Sequence, residues 1–153
     1  YEAEPLLEPQ TRKEVLQNSL DSDKRAVLEK LEYGGKVITH MDEGNACFRD
    51  NLLHSALNSY VHSIEWLIIC YLKKEEELDV ISDEKNEGDY YLFSELVEKL
   101  EQHAEISQKT TNKLRNMNKA ERRWIAHHKT GNIAESDVIN VKERFEILVD
   151  ELF

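Results

Sequence analysis

The stretch FRDNLLHSALNSYVHSIEWLIICYLKK, Phe48 to Lys74, decides the fold. Leu53, Leu57, Tyr60, Val61, Ile64, Leu67, Ile68 and Tyr71 recur at steps of three and four, which places them along one face of a long helix. Its apolar core, Trp66 to Leu72, is far shorter than the ~20 residues that a membrane span needs. The segment therefore predicts the central core helix of a water-soluble protein. A second stripe, His54, Asn58, His62 and Glu65, runs along the flank of that face. It has two readings: half-exposed groups that bond to one another or to a neighbouring helix, or a Glu65 or Asn58 that orients an arginine elsewhere. His54 and His62 stand about two turns apart, too far to share one metal ion without further ligands.

Outward from this helix, the same periodicity recurs. On the N-terminal side, Tyr1 to Gln10 carries both prolines and reads as a tail. Val15, Leu16, Leu20, Val27, Leu28 and Leu31 give an added helical element over residues 11–35, with a second start at Asp21-Ser22-Asp23 and an end at Gly34-Gly35. Lys36 to Asn45 reads as a short helical or irregular connector, with Gly44-Asn45 turn-like. On the C-terminal side, Glu75 to Asp89 holds eight acids against one lysine and reads as a solvated loop. Tyr90 to His103 returns to helix through Leu92, Phe93, Leu96, Val97 and Leu100. Ser136-Asp137 starts a final helix bearing Val138, Val141, Phe145, Leu148, Val149 and Leu152. The expectation is an all-α protein, a mostly antiparallel bundle of four to six helices, with the bundle proper over residues 36–153.

Composition sets the bounds on function. The 153 residues carry 31 acidic and 20 basic side chains, a net charge of −11, which argues against a surface that coats nucleic acid without specificity. The two cysteines, Cys47 and Cys70, form neither a disulfide framework nor a metal-ligand spacing and read as reduced, packed thiols. No charged-then-apolar export signal opens the sequence, and a soluble cytoplasmic protein is the default expectation. Gly-rich phosphate loops, zinc-type spacings and the common hydrolase motifs are absent, so no metal or cofactor is expected.

The positive charge is concentrated. Lys109 to Lys129 holds seven Lys or Arg against a single acid, Glu121. Within it lies Arg122-Arg123-Trp124-Ile125-Ala126-His127-His128, near the expected end of a helix. Imidazole titrates near neutrality and moves protons, whereas guanidinium stays charged and forks onto phosphate oxygens. Together they can cleave RNA without a metal, the ribose 2′-hydroxyl serving as nucleophile. The bland reading of the same residues is a set of solvated cations at a helix C-terminus, where positive charge is favoured.

The Arg-Arg-Trp-Ile-Ala-His-His run, followed by a Gly-containing turn and one amphipathic helix, resembles the C-terminal half of HEPN domains. Their hallmark is an arginine, four to six residues, then a histidine, with R-N-x-I-A-H-H a frequent form. The resemblance extends over about the last two-thirds of the sequence and includes the order of helices. It implies a helical bundle that commonly dimerises with two motifs facing a shared cleft. Many members are metal-independent ribonucleases in toxin, antiviral or RNA-processing systems, while others serve as inactive binding or assembly modules. Carried onto this sequence, Arg122 and His127 would be the catalytic pair, with Arg123, His128 and Lys129 as phosphate-holding residues and RNA or a protein as partner. Arg123 stands where the family typically has a small polar residue. Arg123 with His128 also satisfies the spacing, although His128 falls on the apolar stripe with Trp124 and Ile125 and reads first as a packed histidine.

Overall fold

The computed structural model describes residues 20–76, 93–126 and 133–153, with Glu76 and 118–126 as backbone only. These form six α-helices: α1 (Ser22–Glu29), α2 (Gly34–Arg49), α3 (Leu53–Glu76), α4 (Phe93–His103), α5 (Gln108–Ala126) and α6 (Glu135–Leu152). There is no strand among the described residues, so the chain is an all-α helical bundle. No helix among them is long and apolar enough to cross a membrane.

α3 is the central element. Leu57, Tyr60, Ile64, Leu67 and Ile68 are fully buried, as their spacing predicts, and Leu72 joins them, while Leu53 and Tyr71 at the two ends of the stripe are half-buried. The helix does not begin at Phe48, however. α2 ends at Arg49, and a tight corner at Asp50–Leu52 separates it from α3. Asn51 adopts φ 61°, a left-handed conformation that asparagine tolerates better than most residues. The corner satisfies the last carbonyls of α2: Asn51 N–H donates to the Phe48 oxygen at 3.1 Å and Leu52 N–H to the Cys47 oxygen at 2.8 Å. Phe48 itself is wholly buried from the α2 side.

Two glycine sites differ from their sequence reading. Of the two readings of Lys36 to Asn45 the helical one holds, but the segment is the body of the 16-residue α2 rather than a short connector, and Gly44 lies inside the helix rather than in a turn. A Cβ at Gly44 would stand 2.6 Å from Cδ1 and Cε1 of Tyr60, so the glycine admits a buried ring rather than a turn. Gly34 does not end a helix but begins α2; a Cβ there would fall 1.7 Å from the Leu28 carbonyl oxygen. α1 itself stops at Glu29, after a start capped by Asp21, whose Oδ1 accepts from Lys24 N–H at 2.8 Å.

The chain directions follow from paired side chains. α2 and α3 form an antiparallel hairpin, with Asn45 against Tyr60 and Tyr33 against Trp66. α6 runs parallel to α3: Glu146 acts on Tyr60 and Phe153 packs edge-on against Tyr71 at 6.0 Å. α5 is antiparallel to α6, because Thr110 at its start bonds Glu151 at the end of α6. α4 pairs antiparallel with α5 through Glu101 and Arg115. α3, α4, α5 and α6 thus make a four-helix ring, each packed on the next, with α5 diagonal to α3. α2 covers the outside of α3, and α1 lies on α2, held by Leu28 in the core and by Arg25, whose guanidinium donates two bonds of 3.1 and 2.7 Å to Asp42. Exposed as it is, that bidentate pair orients α1 more than it stabilises it.

Candidate functional site

α5 carries the basic stretch. Its first turn is fixed by Ser107, whose Oγ accepts from Thr110 N–H at 3.1 Å, while the Thr110 hydroxyl donates to Glu151 of α6 at 3.0 Å. Thr110, Thr111, Leu114 and Met117 are buried and set the inward face. Arg115 forms an ion pair with Glu101 of α4. The helical backbone continues through Arg122 and Arg123 to Ala126, so both arginines stand on its last turns. Arg122 and Arg123 follow Arg115 and Asn116 by two turns along the helix backbone. The side chains of Arg122 and Arg123 lie outside the described residues, as do His127, His128 and Lys129 entirely.

By direction and packing, the end of α5 is level with the beginning of α6 and with the α2–α3 corner. α6 starts with Asp137 Oδ2 accepting from Ala134 N–H at 2.9 Å, a back-bond from the first turn that closes the helix entry. Helix starts at Glu135, one residue before the expected Ser136.

The polar stripe on α3 belongs elsewhere. His62 lies against His40 of α2, ring centroids 5.3 Å apart, and its Nδ1 is 3.8 Å from Glu65. His40 in turn is 3.9 Å from Glu43. Burial raises the pKa of Glu65, opposed by the neighbouring His62. His62 therefore joins α3 to α2, and among the described residues the ion partner of Glu65 is a histidine, not an arginine. His40 was not singled out by the sequence because it sits in the segment read as a connector.

Two further polar groups emerge only in three dimensions. Tyr60 Oη donates to Asn45 Oδ1 at 2.6 Å, with its pKa raised by burial and then by Glu146. Lys142, on the core side of α6, is 1% exposed and bonds Glu146 at 2.5 Å one turn on. A lysine within an apolar stripe is the signal that could have found it, since burial demands a charge partner. Arg144 of α6, finally, acts electrostatically on Lys113 of α5. The Lys113 ammonium is held below the usual lysine range first by Arg144, then by desolvation and by Lys109, while Glu143 opposes the shift.

No three His, Cys, Asp or Glu side chains among the described residues are grouped to hold a metal ion. Comparison with protein-family models, with curated proteins and with solved structures gives no match.

Proposed function

We propose that the chain is a metal-independent endoribonuclease of the HEPN type, acting through Arg122 and His127. The observation that carries this reading is the Arg-x4-His spacing at the C-terminal end of a long basic helix, immediately before the closing helix that packs on it. The all-helical ring and the order of its helices support it.

In this mechanism the ribose 2′-hydroxyl attacks the adjacent phosphorus and the 5′-oxygen leaves. His127 transfers the proton, and Arg122 stabilises the charge that builds on the phosphoryl oxygens. The products end in 2′,3′-cyclic phosphate and 5′-hydroxyl. A homodimer would bring two such motifs to one cleft, and light scattering should then give about twice the 17.9 kDa chain mass. Arg123 favours a second reading, a non-catalytic HEPN-like module that dimerises or binds a nucleotide or protein partner through the same helix, because a large cation replaces the small polar residue usual beside the motif arginine.

Cleavage decides between them. Purified protein should cut single-stranded RNA in EDTA and leave DNA intact. His127→Ala should lose ~10²–10⁴-fold in rate, and Arg122→Ala a comparable amount. Absence of cleavage in the unmodified protein, with dimerisation retained, would favour the binding module; equal rates in His127→Ala would remove the assignment of this site.

A further inference from the structure

One cluster of titratable side chains takes no part in the reading above. His40 of α2 and His62 of α3 stand side by side, ring centroids 5.3 Å apart and planes tilted by 35°. Each ring turns Nδ1 toward a carboxylate one helical turn further on, His40 toward Glu43 at 3.9 Å and His62 toward Glu65 at 3.8 Å. Among the described residues neither Nε2 has a hydrogen-bond partner. Both side chains reach solvent, His40 at 28% and His62 at 43% exposure.

A ring contact alone accounts for the separation, but not for the arrangement repeated around it. A carboxylate beyond Nδ1 favours the proton there and leaves the lone pair of the neutral imidazole on Nε2, the pattern that stands behind metal-ligating histidines. Here it occurs once on each helix, so two lone pairs are left on neighbouring rings. The distance suits a single ion. With zinc ~2.0–2.1 Å from each nitrogen and each ring centre ~1.1 Å beyond, two tetrahedrally placed imidazoles have centroids ~5.2 Å apart. Glu43 and Glu65 add negative charge around the pair, while Lys36, one turn before His40, lies over Trp66 at 5.5 Å.

We propose that His40 and His62 form a two-histidine site for a divalent transition-metal ion such as zinc, held through both Nε2 atoms, with Glu43 and Glu65 orienting the rings. No third His, Cys, Asp or Glu among the described residues joins them, so water fills the remaining positions and the ion is exchangeable. Imidazole ligands select zinc, copper or nickel over magnesium and calcium. Bound there, the ion clamps α2 to α3. The site shares no residue with the proposed cleavage motif, and no step of that chemistry passes through it.

The test uses the full chain, stripped of metal with EDTA and exchanged into plain buffer, with Zn²⁺ as the probe and Mg²⁺ as the control ion. Calorimetric titration reads affinity, thermal melts read stabilisation, and the ring-nitrogen NMR signals of the histidines read which of them bind. Zn²⁺ at ~100 times its Kd should raise the melting temperature by roughly 5–11 °C, and Mg²⁺ should not. His40→Gln and His62→Gln should each weaken Zn²⁺ binding roughly tenfold or more, and the double variant no further, because one ion needs both rings. Glu43→Gln should weaken it ~10-fold with both ligands in place. His54→Gln with His103→Gln should leave it unchanged. Circular dichroism confirms folding, and Phe, which keeps a ring without a lone pair, replaces Gln in a variant that does not fold. In the unmodified protein the His40 and His62 signals should shift together on adding Zn²⁺. No Zn²⁺ binding overturns the proposal, as does binding that survives loss of either histidine, since the ion then lies elsewhere. A response to Mg²⁺ equal to that to Zn²⁺ also overturns it, assigning the effect to screening of the carboxylates. Cleavage of RNA, or its absence, leaves the proposal untouched.

Discussion

Gly44→Ala is expected to destabilise the protein even though alanine is the better helix former. In an open helix the change would gain about 1 kcal/mol. Here the new Cβ would lie 2.6 Å from two carbons of the Tyr60 ring and 3.1 Å from Cζ, against the ~3.5–4.0 Å at which carbons rest. The ring must retreat by about 1 Å, yet it is fully buried and tethered by its 2.6 Å bond to Asn45. Overpacking costs ~1–3 kcal/mol and a weakened hydrogen bond about 1 kcal/mol more, so the net loss is ~1–3 kcal/mol. At ~2–4 °C per kcal/mol for a chain of this size, the melting temperature should fall by about 2–12 °C. Urea titration should show a lower midpoint with an unchanged slope. Gly35→Ala is the control, since no atom lies within 4 Å of its added Cβ, and it should be neutral or stabilising by tenths of a kcal/mol. In the Gly44→Ala background, Tyr60→Leu should cost less than it does alone, because it also relieves the clash. A Gly44→Ala protein as stable as its parent would refute the reasoning.

The thiols should react unequally: Cys70 is buried, its pKa pushed up to about 12 by burial and its thiol donating to the Glu32 carbonyl at 3.4 Å, whereas Cys47 is half-buried. Iodoacetamide with mass spectrometry should therefore modify Cys47 in the native protein and Cys70 only after unfolding, and equal rates would contradict the packing. Glu65 gives a pH dependence. Its pKa is raised in the fold, so the favourable contribution of the protonated carboxyl is complete below the ordinary value of 4.5 and is lost as pH rises through the folded value. Glu65→Gln should accordingly stabilise the protein relative to its parent at pH 8 and lose that advantage toward pH 4, in thermal melts across the range; a difference that shrinks as pH rises would show that the His62 pairing outweighs burial.

The fold class was legible because burial follows periodicity. Every residue assigned to the inward face of α6, from Val138 to Leu152, is buried, as are Leu96, Val97 and Leu100 of α4 and Leu114 and Met117 of α5, while Phe93 is half-buried. The boundary between α2 and α3 was not legible, because Asp50-Asn51-Leu52 contains neither glycine nor proline and the apolar pattern continues across it. Gly44 and Gly34 misled for the opposite reason: each is a glycine whose cause is a distant neighbour, Tyr60 or the Leu28 carbonyl, rather than local turn chemistry. The polar stripe on α3 was correctly placed on a flank, but nothing in its spacing could say that α2, itself read as a connector, would face it. In the candidate site, concentration of charge revealed α5, while the contribution of Arg144 required knowing that α6 packs beside it.

The parallel course of α3 and α6 bears on how the molecule assembles. The α2–α3 corner is local and can close as soon as Phe48 and Tyr60 exist as a hairpin, on the microsecond scale of short-range events. The side of α3 that packs on α6 waits for a partner far along the sequence, and contacts of such separation form late. Until then that side of α3 is bare, and self-association of the half-finished hairpin competes with completion. Slow steps in refolding, and any tendency of shortened chains to precipitate, should thus trace to the arrival of α6.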